Sequence, residues 1–204
     1  MKKPHRLIAS LFVTFATLGA SVGAQAQNTN GNSNSMYSAA YTPGSAYVDL
    51  GMGHSDYSLG NGIGIFGADQ GDTAYSIHAG SFFSKNWGME VGYTDLGRVN
   101  RAGGTTQADA LSLSLVGKLP LSPSFNLLGK VGTTWGRTKV SSNPASGVVA
   151  GDDGGFGLSY GLGAEFAFNP QWSAVLQYES YNLKFAGDRT ERVGATTLGA
   201  RYHF

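Results

Sequence analysis

Seven charged side chains are the residues of this 204-residue sequence whose types and positions could do chemistry together. Each lies in a segment where apolar and polar residues alternate, and each falls on the polar side of that alternation. Acids and bases that share one wall can form ion pairs and hydrogen bonds, or can gate a path for small ions. We call them the charged network: Asp49, Glu90, Lys118, Lys130, Glu165, Glu179 and Arg201.

Catalytic and metal chemistry have little support in the sequence. His54 and Ser55 are strand neighbours that point to opposite faces, and no Ser, His and acid have a spacing that specifies a triad. His78 and His203 fall on the polar face and are expected to join the charged network. The spacing H-x-x-E-H is absent, and the loop 151–157 offers too few spaced ligands for a calcium site. The sequence predicts no catalytic residue, no metal site and no cofactor.

Eight segments of period-two alternation carry these side chains. One face of each segment is apolar and aromatic, while the other is small and glycine-rich. Each segment is close to the ~9–11 residues that cross a membrane as a tilted strand. The pattern predicts an all-β fold, an eight-stranded antiparallel up-and-down transmembrane β-barrel. The segments are 45–57, 73–84, 87–95, 108–119, 125–138, 156–168, 172–183 and 193–204.

The connections and the aromatic residues agree with this architecture. Tight turns near residues 85–86, 121–124 and 169–171 alternate with longer polar connections at 58–72, 96–107, 139–155 and 184–192. The last segment is expected to pair with the first and so remove the open edge. Aromatic side chains on the apolar face are expected to form girdles where lipid meets water. Those residues are Trp87, Phe125, Phe168, Trp172, Tyr202 and Phe204 at the short-turn end, and Trp135 nearer the other end.

Composition favours a membrane barrel over a soluble one. The chain has 31 Gly, 10 Tyr and 11 Phe, and charged residues make up only 13% of it. A soluble protein usually carries about 25% charged residues. A soluble sandwich or lipocalin-like barrel stays open as an alternative, but its outer face should be more highly charged. The chain has no Cys, which excludes disulfides and thiolate metal sites.

The N-terminus has the features of a secretory signal peptide over residues 1–26. A basic start is followed by an apolar stretch at 7–18 and by Ala24-Gln25-Ala26, with an uncleaved anchor as the alternative. Residues 27–44 are polar and are expected to be flexible, which leaves 45–204 as the barrel domain. Cleavage removes three of 14 basic residues and leaves 11 against 13 acidic ones, a net charge of −2. That balance excludes nucleic acid as a partner.

Four stretches resemble the N-terminal transmembrane domain of the outer-membrane protein A family. They are GMEVGYTDLGR at 88–98, GLGAEFAFNP at 161–170, LQYE at 176–179 and GARYHF at 199–204. The resemblance covers about residues 45–204 and implies an eight-stranded outer-membrane barrel with mobile surface loops. It also implies that the barrel assembly machinery reads the last strand, which ends at Phe204. The family's peptidoglycan-binding domain is not expected, nor is wall anchoring by that route.

The resemblance also implies an interior salt-bridge network that blocks or gates the lumen. Glu90, Lys130 and Glu165 match charged inward positions of the family. Asp49 stands where the family has a base, and Val116 and Val175 replace two further bases. The pairing must therefore differ, and we expect Asp49, Glu90 and Glu165 to pair with Lys130 and Arg201.

These features predict a structural and surface-interaction protein of the Gram-negative outer membrane, whose lumen is filled by charge and which is not an enzyme. Eight strands leave a lumen that side chains just fill. A narrow gated pore for small ions or solutes is the first alternative, and a lipid-modifying enzyme is the second. The expected partners are outer-membrane lipid, lipopolysaccharide, the barrel assembly machinery and an extracellular ligand at the loops.

Overall fold

Eight antiparallel strands close into a barrel in the computed structural model, which describes residues 45–59, 70–101, 103–185 and 189–204. Each strand pairs with its neighbours in the chain. The predicted fold class is confirmed. Residues 1–44, which hold the predicted signal peptide and flexible segment, lie outside the described residues. The strands are β1 (Ala46–Tyr57), β2 (Gly71–Phe82), β3 (Trp87–Arg101), β4 (Gly104–Ser122), β5 (Phe125–Val140), β6 (Gly151–Ala167), β7 (Trp172–Phe185) and β8 (Arg189–His203).

The last strand closes the barrel against the first. The β1–β8 register runs from the pair Tyr47 and His203 to the pair Tyr57 and Val193. The amide of Phe204 then donates to the carbonyl of Ala46 over 2.9 Å. A closed sheet has no row of unpaired amides and carbonyls facing lipid. The predicted pairing of the C-terminal strand with the first strand is confirmed.

The strands extend further at the loop end than the apolar pattern indicated. The sequence placed a long connection at 96–107, but β3 and β4 leave only residues 102–103 between them. Gly103 has a φ of 68°, a left-handed conformation that glycine adopts without strain. Outward positions such as Arg98 and Gln107 are polar. The apolar pattern therefore ends before the hydrogen-bonded ladder does.

The outer surface of the barrel is apolar over its middle. Leu50, Leu162 and Phe156 are 61%, 72% and 75% exposed, and each points away from the lumen. No helix in the described part of the chain is long and apolar enough to span a membrane. A barrel whose outer face is apolar and whose inner face is polar is typical of a protein that spans a membrane with its strands.

The structure places the predicted girdle residues on this outer face. The Trp172 and Tyr202 ring centroids lie 5.0 Å apart, and those of Tyr202 and Phe204 lie 5.1 Å apart. Phe168 lies at the start of the short turn between β6 and β7. Trp87 and Phe125 are the first residues of β3 and β5. Trp135 is at the other end, 6.5 Å from Phe156 between ring centroids.

Two glycines of β5 face opposite sides of the sheet and provide a matched test of inner packing. A Cβ at the inward Gly132 would overlap the carbonyl oxygen of Leu113, whereas a Cβ at the outward Gly129 meets nothing within 4 Å. We expect Gly132→Ala to lower the free energy of unfolding by about 1–3 kcal/mol, because the backbone must shift. Gly129→Ala should be neutral or slightly stabilising. Urea unfolding in lipid vesicles measures the stability of both variants. Equal unfolding midpoints would contradict the tight packing around Gly132.

Candidate functional site

Register brings members of the charged network together inside the lumen. Asp49 on β1 lies opposite His78 on β2 and opposite Arg201 on β8. Glu90 on β3 and Lys130 on β5 point to the same interior from further around the barrel. Inward side chains recur at every second residue of a strand, so the sequence alternation alone places them inside. All seven residues are buried.

Arg201 is the centre of the network. Its Nη2 donates to Asp49 Oδ2 over 2.7 Å, and its Nε donates to the same oxygen over 3.1 Å. Nη2 lies 3.6 Å from Glu90 Oε2, and Nη1 lies 3.7 Å from Glu165 Oε1. The guanidinium carbon also lies 3.9 Å from the Tyr47 ring centroid. One cation thus faces three carboxylates and an aromatic ring, with no exposed surface.

Lys130 forms the second bridge. Its ammonium lies 2.6 Å from Glu90 Oε1 and 3.4 Å from Glu179 Oε1. The Tyr47 hydroxyl donates to Glu90 Oε2 over 2.7 Å. Glu90 therefore lies between the two buried cations, each of which neutralises part of its charge.

His78 connects the two bridges. Its Nδ1 lies 2.8 Å from Asp49 Oδ1, and its Nε2 lies 3.2 Å from Glu179 Oε2. The Gln177 amide donates to Asp49 Oδ1 over 3.5 Å. Sequence reasoning placed His78 on the inner face but did not show that it spans two carboxylates.

A Ser, a His and a Glu meet near the short-turn end, yet their geometry is not that of a catalytic triad. Ser173 Oγ donates to Glu165 Oε1 over 2.7 Å, and His203 Nε2 lies 2.9 Å from the same oxygen. Ser173 Oγ lies 3.4 Å from that same Nε2. A triad uses one ring nitrogen for the nucleophile and the other for the acid. All three side chains are buried, so the group serves to satisfy Glu165.

Lys118 lies at the short-turn side of the network. Its ammonium nitrogen is 4.3 Å from the Phe82 ring centroid, a cation–π distance. Lys118 and Phe82 therefore line the same part of the lumen, near the short turns.

Three donors have the spacing of a metal site. One ligand atom each of His78, Glu90 and Glu179 lies within 4.8 Å of the others. Lys130 bridges the two carboxylates of this group. Its ammonium occupies the position between the carboxylates and compensates part of their charge, which a metal ion would otherwise do.

A cluster of buried apolar side chains lies in the lumen at the loop end, above the charged network. The Thr94 hydroxyl and the Tyr181 hydroxyl, 3.0 Å apart, mark the boundary. Leu59 and Val148 pack onto the cluster from the loops. We call this cluster the apolar plug: Tyr57, Ala74, Leu96, Val99, Ala108, Ala110, Val140, Tyr181, Leu183, Phe185, Val193 and Ala195.

The upper end of β7 lies across the lumen and helps to close it. The β6–β7 register ends at the pair Ser159 and Tyr181. Beyond it, the Thr138 hydroxyl of β5 donates to the Lys184 carbonyl over 2.7 Å, although β6 lies between these strands in the sheet order. A Cβ at Gly136 would overlap the side chain of Leu183. The missing side chain of Gly136 thus makes room for the plug.

Sequence reasoning missed the apolar plug. It assigned 96–107 and 184–192 to loops, which removed Leu96, Val99 and Phe185 from the inner face. The available signal was a second alternation at the strand ends, with apolar residues inward and polar ones outward. In β3, the inward Val99 lies between the outward Arg98 and Asn100, and the inward Arg101 is an exception.

The sequence model of the family described as "Outer membrane protein beta-barrel domain" matches residues 12–204. Outer membrane protein A of Yersinia pseudotuberculosis serotype I (strain IP32953) is 28% identical over 220 residues, and that of Salmonella typhi is 28% identical over 216 residues. Each alignment covers 100% of this chain and 56% of the relative. The chain therefore spans about half the length of these relatives.

Solved structures share the fold at low sequence identity. Ail, the attachment invasion locus protein of Yersinia pestis, superposes with a TM-score of 0.55 at 21% identity, covering 78% of this chain and 98% of Ail. Ail in complex with the heparin analogue sucrose octasulfate gives a TM-score of 0.53 at 19% identity, with the same coverage. Neisserial surface protein A gives a TM-score of 0.56 at 14% identity, covering 78% of this chain and 96% of that protein.

Proposed function

The chain belongs to the outer membrane protein beta-barrel domain family, and we propose on that premise that it is a structural and surface-interaction protein with a closed lumen. It is an outer-membrane β-barrel protein. The observation that carries the closed lumen is the stacking of two filled layers, the charged network and the apolar plug. A rigid closed barrel would stiffen the bilayer and present its loops to the outside.

Ion passage would meet two different barriers in series. An ion at the level of Arg201 would have to displace carboxylates that already hold buried cations. Beyond them, Leu183 and Val193 of the apolar plug are fully buried and offer no polar ligand. Apolar constrictions exclude ions because they do not hold water. These barriers favour the closed barrel over the gated pore.

Planar-bilayer recording on refolded protein tests the closed lumen. We expect no conductance steps from the wild type, and none from Glu90→Ala or Lys130→Ala, because the apolar plug remains in each variant. Only protein that migrates as a heat-modifiable folded band should be recorded. Steps in the wild type that change size or frequency in Glu90→Ala would overturn the closed lumen and favour the pore.

An enzymatic role has less support. The Ser173, His203 and Glu165 group lies buried inside the barrel and does not face lipid. We propose that the protein does not modify lipid. The mass spectrum of lipid A should then be the same in cells with and without the protein.

The partners follow from the outer-membrane location. We propose that residues 1–26 direct export and are cleaved, that the barrel assembly machinery reads the strand ending at Phe204, and that the girdles contact lipid and lipopolysaccharide. An extracellular ligand is proposed at the loops, including 141–150. The structure of Ail with a heparin analogue supports only a ligand of this general kind.

A further inference from the structure

We propose that the lumen binds a proton at His78, which makes this side chain an imidazolium cation held between two carboxylates. The group that binds the proton is called here the proton site: Asp49 on β1, His78 on β2 and Glu179 on β7. The proposal goes beyond the closed lumen, because it assigns the positive charge that completes the charged network.

Both ring nitrogens of His78 face a carboxylate oxygen. Nδ1 lies 2.8 Å from Asp49 Oδ1, and Nε2 lies 3.2 Å from Glu179 Oε2. A neutral imidazole has one N–H, so either tautomer would turn a lone pair towards one of these oxygens. An imidazolium has an N–H on both nitrogens and presents a hydrogen to each carboxylate. The ring has no exposed surface, so bulk water does not screen the repulsion that a neutral ring would meet.

The proton is assigned to the imidazole because both acids of the site also contact a fixed cation. Arg201 donates two hydrogen bonds to Asp49 Oδ2, and Lys130 Nζ lies 3.4 Å from Glu179 Oε1. These buried cations are compensated only if the acids keep their negative charge. In water, an imidazole also holds its proton to a pH about two units higher than a carboxyl group does.

The charge count of the charged network agrees with this assignment. Four of its seven members are acids and three are bases, which leaves one negative charge without a fixed cation (4 − 3 = 1). All seven are buried, where an uncompensated charge is costly. A proton on His78 supplies the fourth positive charge and removes the drive to take up a cation from solution.

His203, the other histidine of the lumen, contacts its carboxylate in a different way. Its Nε2 lies 2.9 Å from Glu165 Oε1, and Ser173 Oγ donates to the same oxygen. A neutral ring with its hydrogen on Nε2 can donate to Glu165. The contact of His203 with Glu165 therefore does not call for an imidazolium, whereas the two-sided contact of His78 does.

The surroundings of His78 hold the ring in place and favour the cation. A Cβ at Gly92 of β3 would overlap His78 Cδ2, so this glycine leaves just enough room for the ring. Three carboxylates and two fixed cations belong to the same cluster, so that negative charge exceeds positive charge around the ring. They are Asp49 of β1, Glu90 of β3, Lys130 of β5, Glu179 of β7 and Arg201 of β8.

Nuclear magnetic resonance of the ring nitrogens tests the proposal directly. The refolded full chain carries isotope-labelled histidine in detergent micelles at about pH 8, where a histidine of an unfolded chain is neutral. The signals of His78 are those absent from the spectrum of His78→Gln. We expect a hydrogen on both ring nitrogens of His78 in the folded protein and the neutral pattern in urea. A folded His78 with a single N–H would overturn the proposal.

Two glutamate variants separate the local contact from the total charge of the lumen. Glu179→Gln removes one of the carboxylates that face the ring, so His78 should become neutral at the same pH. Glu165→Gln removes the same charge near His203 instead and should leave both N–H groups of His78 in place. Equal spectra of the two variants, or two N–H groups in Glu179→Gln, would show that the proton site does not hold the proton.

Proton binding should also appear in the pH dependence of stability. Above about pH 7.5 the unfolded chain has a neutral His78 and the folded barrel has the imidazolium, so folding binds one proton. Stability therefore falls as pH rises. The ratio of folded to unfolded protein should fall about tenfold more per pH unit in the wild type than in His78→Gln.

Urea unfolding in lipid vesicles at about pH 7.5 and about pH 8.5 measures this difference, because the unfolded histidine is neutral at both values. The same change with pH in the wild type and in His78→Gln would overturn the proposal. Bilayer recording reports the closed lumen separately, so a failure here leaves that proposal standing.

Discussion

Arg201→Met should lower the free energy of unfolding by about 3–5 kcal/mol, the largest loss expected from a single substitution in this protein. Arg201 is fully buried and lies within 4 Å of oxygens of Asp49, Glu90 and Glu165. Methionine keeps much of the volume but removes the charge. Lys130 remains bridged to Glu90, whereas Asp49 loses the two hydrogen bonds that the guanidinium donates to its carboxylate.

The matched control for this prediction is Arg192→Met on the same strand. Arg192 points outward and is exposed, so its loss should cost less than about 1 kcal/mol. Urea unfolding in lipid vesicles measures both variants. The double variant Asp49→Asn/Arg201→Met should recover part of the loss, because it removes the stranded carboxylate together with its partner. Equal stability of Arg201→Met and Arg192→Met would show that the network does not hold the barrel.

The facing of each strand could be read from the sequence wherever one face meets lipid. Period-two alternation predicts that Leu50 and Met52 face outward. It places Asp49 and Gly51 on the inner face, and the structure has the same arrangement. The closing pair of β1 and β8 also followed, because an open edge in lipid is costly. Lipid imposes a strict pattern, so the sequence records it clearly.

The partners inside the lumen could be predicted only in part. The pattern of inward charges predicts Asp49 or Glu90 as a partner for Arg201, and the structure has the shorter contact to Asp49. That choice depends on register, which makes Asp49 and Arg201 direct cross-strand neighbours. Period-two alternation fixes the side of the sheet but does not fix register.

The apolar plug was not predicted because apolar residues lie outward within the lipid but inward above it. At β3, Arg98 and Asn100 face water while Val99 faces the lumen. In the membrane the rule is reversed, with apolar residues outside. A single rule applied along the whole chain therefore mistakes these strand ends for loops. Above the bilayer the barrel follows the rule of a soluble protein and buries its apolar side chains inside.

The second large effect is expected in the apolar plug, where Leu183→Ala should lower the free energy of unfolding by about 2–5 kcal/mol. Leu183 is fully buried and packs against Gly136, which has no side chain to move into the space. The loss therefore combines the removed apolar contact with a cavity that the rigid barrel cannot collapse. Urea unfolding in vesicles measures the change.

Leu176→Ala on the same strand is the matched control, because Leu176 faces outward and lipid fills the space that its side chain leaves. Leu176→Ala should lower the free energy of unfolding by less than Leu183→Ala does, and the difference is the contribution of the cavity. Bilayer recordings of Leu183→Ala should still show no steps, since the bridges of Arg201 and Lys130 remain below the cavity. If Leu183→Ala cost no more than Leu176→Ala, the upper lumen would be loosely filled. The charged network would then be the only barrier to ions.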